Sequence, residues 1–133
     1  MPNAAIELHD SRVTGIHTEG SDVVLDFDAY VHMSDGEPGV DAGTGWKRPV
    51  RITVREGVVR RAFGADALWI TNGVVWIGER MLDDLIPLAL DEAGIVRIEL
   101  VGAEGRLTVT GAGLRIEVTG DGVYVERFPG SGG

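Results

Sequence analysis

Hydrophobic and polar residues alternate with a period of two along most of this chain, the spacing that turns one face of a β-strand to a core and the other to water. The stretch "DVVLDFDAYV" sets Val23, Leu25, Phe27, Ala29 and Val31 on one face and Asp22, Asp26, Asp28 and Tyr30 on the other. "VRITVRE" repeats the pattern, with Val50, Ile52 and Val54 inward and Arg51, Thr53 and Arg55 outward. Farther on, "IVRIEL", "RLTVT", "LRIEV" and "VYVERF" read as four short strands. The Gly-rich "VGAEG", "GAG" and "TGDG" between them read as hairpin connections, which predicts an antiparallel C-terminal meander. Helical spacing is confined to "GERMLDDLIPLALDEAG", where Met81, Leu82, Leu85 and Ile86 share a helical face but Pro87 would stop the helix early. The preferred alternative is a turn at Asp83-Asp84 followed by a strand "LIPLAL", held to an edge or bulge by its proline.

These elements amount to about ten short strands with glycine punctuation, which predicts an all-β fold with little or no helix. The expected architecture is an antiparallel β-sandwich or flattened barrel. A single domain over residues 1–128 is expected, followed by a flexible tail, "PGSGG", over 129–133.

One segment does not fit a half-solvated strand. "ALWITNGVVWIGE", Ala67 to Glu79, contains Asn72-Gly73, the dipeptide that best tolerates the positive φ of a type I′ turn. A two-residue hairpin there would pair Thr71 with Val74, Ile70 with Val75, Trp69 with Trp76 and Leu68 with Ile77. Thr71, Trp69, Val74 and Trp76 would share one face, and Leu68, Ile70, Val75 and Ile77 the other. Neither face is polar, so both call for cover. The opposite sheet accounts for one. For the second, three coverings are open: a crossing segment at residues 79–90, a second copy of the chain, or a ligand in a tryptophan-lined groove.

Composition narrows the partners. The chain has 133 residues, enough for a core without staples, and it has no cysteine, which excludes disulfides and thiolate metal sites and suits a reducing cytoplasm. The start, "MPNAAIELHD", lacks a basic n-region and a long apolar run, so neither a signal peptide nor a transmembrane segment is expected. A net charge of −9 argues against nucleic-acid binding. The charge is also segregated: residues 1–41 hold nine acidic side chains and one basic, Arg12, whereas 46–61 hold six basic and one acidic. Neighbouring strands joined by cross-strand ion pairs would explain this, as would a charged surface that steers a partner.

Signals for chemistry are sparse. His9, His17 and His32 each lie near carboxylates, and a metal site assembled from them with Asp10 or Asp28 is one reading. The reading adopted is structural, with no metal and no cofactor. "LHDS" is not a catalytic triad, because neighbouring strand residues point to opposite faces. Asp35, Glu37 and Asp41 in "SDGEPGVDAGTGW" lack EF-hand spacing, and "GTGW" lacks the lysine and hydroxyl of a phosphate loop despite Lys47 nearby.

The run "IELHDSRVTGIHTEGSDVVLDF", with "PGVDAGTGW" and "IPLALDEAG", resembles a group of small, functionally uncharacterised all-β bacterial proteins that open on a strand ending in "HDS". Some families with a related "HD" opening are thought to be immunity proteins of toxin systems, so the resemblance implies a partner-binding role and supplies no catalytic residues. The expected function is therefore a non-enzymatic β-protein acting through protein contacts, as a homo-oligomer or as an acidic inhibitor of a basic partner. Its expected interaction surface draws on Trp46, Trp69, Trp76, Asp22, Asp26, Asp28, Arg51 and Arg55. The rival is a carbohydrate-binding, small-ligand or hydrolytic module with a tryptophan-lined groove and acids from the Asp22–Asp28 strand.

Overall fold

In the computed structural model, described over residues 3–62, 67–88 and 90–129, ten strands and no helix are present. They are β1 (Asn3–Glu19), β2 (Asp22–Ser34), β3 (Gly43–Arg55), β4 (Val58–Ala62), β5 (Leu68–Ile77), β6 (Arg80–Asp83), β7 (Leu85–Pro87), β8 (Asp91–Gly102), β9 (Gly105–Val118) and β10 (Val123–Phe128). The expected tail falls, beyond Pro129, outside the described residues. No helix among the described residues is long and apolar enough to cross a membrane.

Every strand pair is antiparallel, and six strands close a ring in the order β1, β2, β3, β9, β8, β5 and back to β1. This is a flattened barrel, with four strands outside the ring. The first half of β3 pairs with β10 and its second half with β9; β4 lines the first half of β9, β6 the second half of β5, and β7 the start of β1. The alternating residues fill the interior as expected: Leu25, Phe27, Ala29 and Val31 of β2 meet Val50, Ile52 and Val54 of β3, with Ile98, Leu100, Leu107, Val109, Leu114 and Ile116 from β8 and β9.

Asn72-Gly73 does not form a turn. It lies inside the continuous strand β5, and neither residue has positive φ. A bulge between Ile70 and Asn72 against β8 shifts the alternation by one. A bulge and a two-residue turn have the same effect on parity, so the expected partition of faces survives although the chain never reverses. Leu68, Ile70, Val75 and Ile77 point inward, and Trp69 and Trp76 outward. Gly73 is needed for room: a Cβ there would lie 2.7 Å from Leu8 Cδ1 and 3.0 Å from Leu100 Cδ2.

Two other expected hairpins are also absent. "GAG" lies within β9, where a Cβ on Gly111 would come within 2.5 Å of the Arg55 carbonyl oxygen as β9 passes from β4 to β3. "TGDG" leads not to a neighbouring strand but across to β3, so the meander is limited to β8–β9, joined at Gly102–Gly105 as "VGAEG" predicts. In the region with helical spacing, β6 is followed by Asp84 at φ 64° and then β7, an edge strand containing Pro87, much as the strand reading holds.

The ring is narrowest between β1 and β5, which among the described residues share only the pairs Arg12 with Trp69 and Val13 with Leu68. Below them the strands diverge, and Asp84 bridges the gap: the Leu8 amide donates to its carbonyl at 2.8 Å, and its own amide donates to the Gly73 carbonyl at 3.0 Å.

Candidate functional site

The charged residues expected on an interaction surface form a ladder rather than a patch. Asp26 stands opposite Arg51 and accepts its Nε–H at 3.0 Å. Asp28 pairs not with an arginine of β3 or β4 but with Arg12 on the other side, at 4.0 Å. Asp22 accepts the Glu56 amide at 3.3 Å, and Arg55 reaches Asp91 of β8. Asp26 with Arg51 and Arg12 with Asp28 thus set opposite charges on adjacent strands, whereas Arg55 reaches across β9 to Asp91. Because Asp26 and Arg51 are both more than a third exposed, Asp26→Asn or Arg51→Gln is expected to leave the melting temperature within the scatter of repeat scans, and a large drop would mark a buried network.

The three tryptophans do not line one groove. Trp46 sits between β2 and β10, its Nε1–H donating to Thr44 Oγ1 at 2.8 Å and its ring edge-on to Tyr124 at 5.5 Å. Trp69 is half exposed, with the Arg12 guanidinium 4.8 Å from its ring. Trp76 is flanked in register by Met81 of β6 and Arg97 of β8, and borders a shallow cleft of about 400 Å³ with Ile95, Arg97 and Glu99. The described residues of 79–90 do not cross over this face, because β6 and β7 lie edge-on beside β5 and β1.

The densest chemistry lies at "LHDS", where β1 bulges between Glu7 and Arg12 and Asp10 takes φ 75°. The bulge turns Ser11 inward. Fully buried, its hydroxyl donates to the Glu7 carbonyl at 2.6 Å and accepts the Tyr30 amide at 2.9 Å, so it replaces missing ladder bonds and is not a nucleophile. His9 points outward, and its Nδ1 and backbone amide are both held by the Asp84 carboxylate, the amide at 2.8 Å. Its Nε2 lies 3.1 Å from Glu7 Oε1 and 3.5 Å from Asp10 Oδ2. Burial opposes protonation of His9, but the Asp84 hydrogen bond and the charges of Glu7, Asp84 and Asp10 outweigh it and raise its pKa above the usual 6.5.

The other oxygen of Glu7 lies 3.2 Å from Nε2 of His32, on β2. Around His32 pack the rings of Tyr30 and Phe128, at 5.1 and 4.8 Å between centroids. The Tyr30 hydroxyl donates to Glu126 at 2.5 Å, and burial together with that carboxylate pushes its pKa well above the usual tyrosine range. Lys47 reaches over from β3 and donates to the Asp10 carbonyl at 2.6 Å.

Of the three histidines, then, two converge, both on Glu7. His17 lies apart, beside Glu19 and Asp26. Asp35, Glu37 and Asp41 do not converge either; the Asp41 carboxylate is spent on the Glu37 amide, at 2.6 Å. Glu7 and Asp84 were not legible as site residues. Glu7 had a signal, since it stands two positions before His9 and so shares its face in a strand, whereas Asp84 arrives from far along the chain. Comparison with protein-family models, with curated proteins and with solved structures finds no match.

Proposed function

We propose that this chain is a non-enzymatic β-barrel that works through protein contacts, and that the outer face of β5 docks a second copy of the same chain. The observation that carries this reading is an apolar surface left open by the described residues: Met81 and Ile95 are 54 and 80% exposed with Trp76 between them, and Trp69, 50% exposed, lies farther along β5. Aromatic anchors in an apolar centre with a polar rim are the anatomy of a protein interface. The rim here consists of ion pairs closed on themselves, Arg80 with Glu92 at 2.5 Å and Arg97 with Glu99 at 2.9 Å. Such pairs offer little field to attract a basic partner, and they suit a two-fold contact in which each copy presents the same patch.

Light scattering on a sizing column tests this. The wild type is expected at twice 14.2 kDa at high micromolar concentration. Met81→Glu with Ile95→Glu is expected to give a folded monomer, since both side chains are already exposed. A wild type that stays monomeric throughout would overturn the reading.

A further inference from the structure

We propose that the end of the barrel beside Arg48 binds a small carboxylate with an apolar body, the Arg48 guanidinium holding the carboxylate and a partly covered apolar wall taking the tail. Arg48 interrupts the alternation of β3. It is in register with the buried Ala29 and stands two positions before the buried Val50, so it occupies the inward face that Val50, Ile52 and Val54 continue. A charge on that face is costly unless it is paired. Among the described residues no carboxylate forms an ion pair with Arg48: its Nη2 donates to the Gly120 carbonyl at a long 3.4 Å, and its Nε makes no hydrogen bond. The side chain is nonetheless fixed in place. A Cβ on Gly122 would come within 2.6 Å of Arg48 Cγ, so the connection from β9 to β10 lies directly on the stem and the guanidinium is carried at its end.

Arg48 lines a cleft of about 480 Å³, a size within the range of small-molecule sites. Its apolar wall is Ala4, Leu88, Leu90, Ile116 and Val118, and of these all but Ile116 are packed on the core yet only partly buried. The wall is preformed. The Leu88 amide donates to the Ala4 carbonyl of β1 at 3.0 Å, and the Ile116 amide of β9 donates to the Leu90 carbonyl at 2.8 Å, so both leucines are tied to the barrel. The other charges that line the cleft decide the sign of the ligand. Asp91 is engaged by Arg55, and Glu117 lies 3.7 Å from Arg115, which leaves Arg48 as the lining charge without a counterpart among the described residues. A carboxylate matches the guanidinium fork, whereas a bare anion would leave the apolar wall in water and a neutral apolar ligand would leave Arg48 unpaired. The cleft is separate from the outer face of β5, since Trp76, Met81 and Ile95 do not line it.

The test titrates octanoate, octylamine and acetate into the full chain by calorimetry and follows the amide NMR spectrum. Octanoate is expected to bind and to shift the amide signals of Leu88, Ile116 and Val118, while octylamine, of opposite charge, and acetate, without a tail, are expected not to bind. Arg48→Met keeps a stem beneath Gly122 and removes the charge, and it is expected to weaken octanoate about 10–100-fold, the loss for a hydrogen bond between charged groups. Met81→Glu with Ile95→Glu is expected to bind octanoate as the wild type does, which keeps this site distinct from the face of β5. If Arg48→Met folds poorly, the ligand series and the shifts in the wild type decide. Octanoate that fails to bind, that binds no better than octylamine, that shifts β5 and β6 in place of Leu88, Ile116 and Val118, or that binds a folded Arg48→Met equally well would overturn the proposal.

Discussion

Truncating Leu8 to alanine is expected to destabilise the barrel by about 2–5 kcal/mol, the range for a fully buried leucine whose cavity cannot collapse. Leu8 is completely buried and packs against the bare backbone of Gly73, while its own amide is fixed by the Asp84 carbonyl. Held on both sides, β1 has little freedom to move into the space left by the side chain. Urea denaturation should show the midpoint falling with an unchanged slope. A loss below about 1 kcal/mol would mean that Leu8 is not an interior residue.

The second large effect is expected from the opposite change, adding a methyl group at Gly73. In Gly73→Ala the new carbon would meet Leu8 Cδ1 at 2.7 Å, closer than real side chains approach, and Leu8 Cβ at 3.0 Å, where the neighbour must give way. Overpacking of this kind costs about 1–3 kcal/mol. The same substitution in a Leu8→Ala background is expected to cost less, because the closest atom, Leu8 Cδ1, is gone, and a double-mutant cycle should return a coupling of about 0.5–3 kcal/mol. This separates the interior glycine from a turn glycine. A glycine required for positive φ would be costly to replace whatever occupied position 8, so a penalty independent of Leu8 would refute the packing account.

These two residues also mark where the sequence was legible and where it was not. Alternation identifies which side chains face the core: Leu25, Phe27, Ile52 and Ile98 are buried as their spacing says. It says nothing about which strands are neighbours, because any closed or open stack satisfies the same pattern. Asn72-Gly73 and "GAG" were misleading for one reason. Glycine serves both in a turn and where two chains approach closely, and only the neighbours, Leu8 for Gly73 and Arg55 for Gly111, tell the two apart. At the β1 bulge, His9, Asp10 and His32 stood out as candidate ligands by residue type alone. Glu7 was within reach of the strand period, but the bulge that brings it to both imidazoles depends on Ser11 replacing a ladder bond, and Asp84 is placed by β5 and β6. Charge segregation was informative to the extent that it was local: β2 and β3 are indeed neighbours, with Asp26 on Arg51.

The two-pair junction of β1 with β5 bears on how the molecule reaches and leaves its native form. Sequence-adjacent strands such as β1, β2 and β3, or β8 and β9, can zip together through short loops, whereas Arg12 with Trp69 and Val13 with Leu68 unite distant parts of the chain. The entropy of that closure is lost before any contact rewards it. The tube is therefore completed late, by a clasp of two residue pairs and one aspartate, after most of the sheet has been laid down. The same clasp is where the ring itself is expected to part first, which would turn the tube into an open curved sheet.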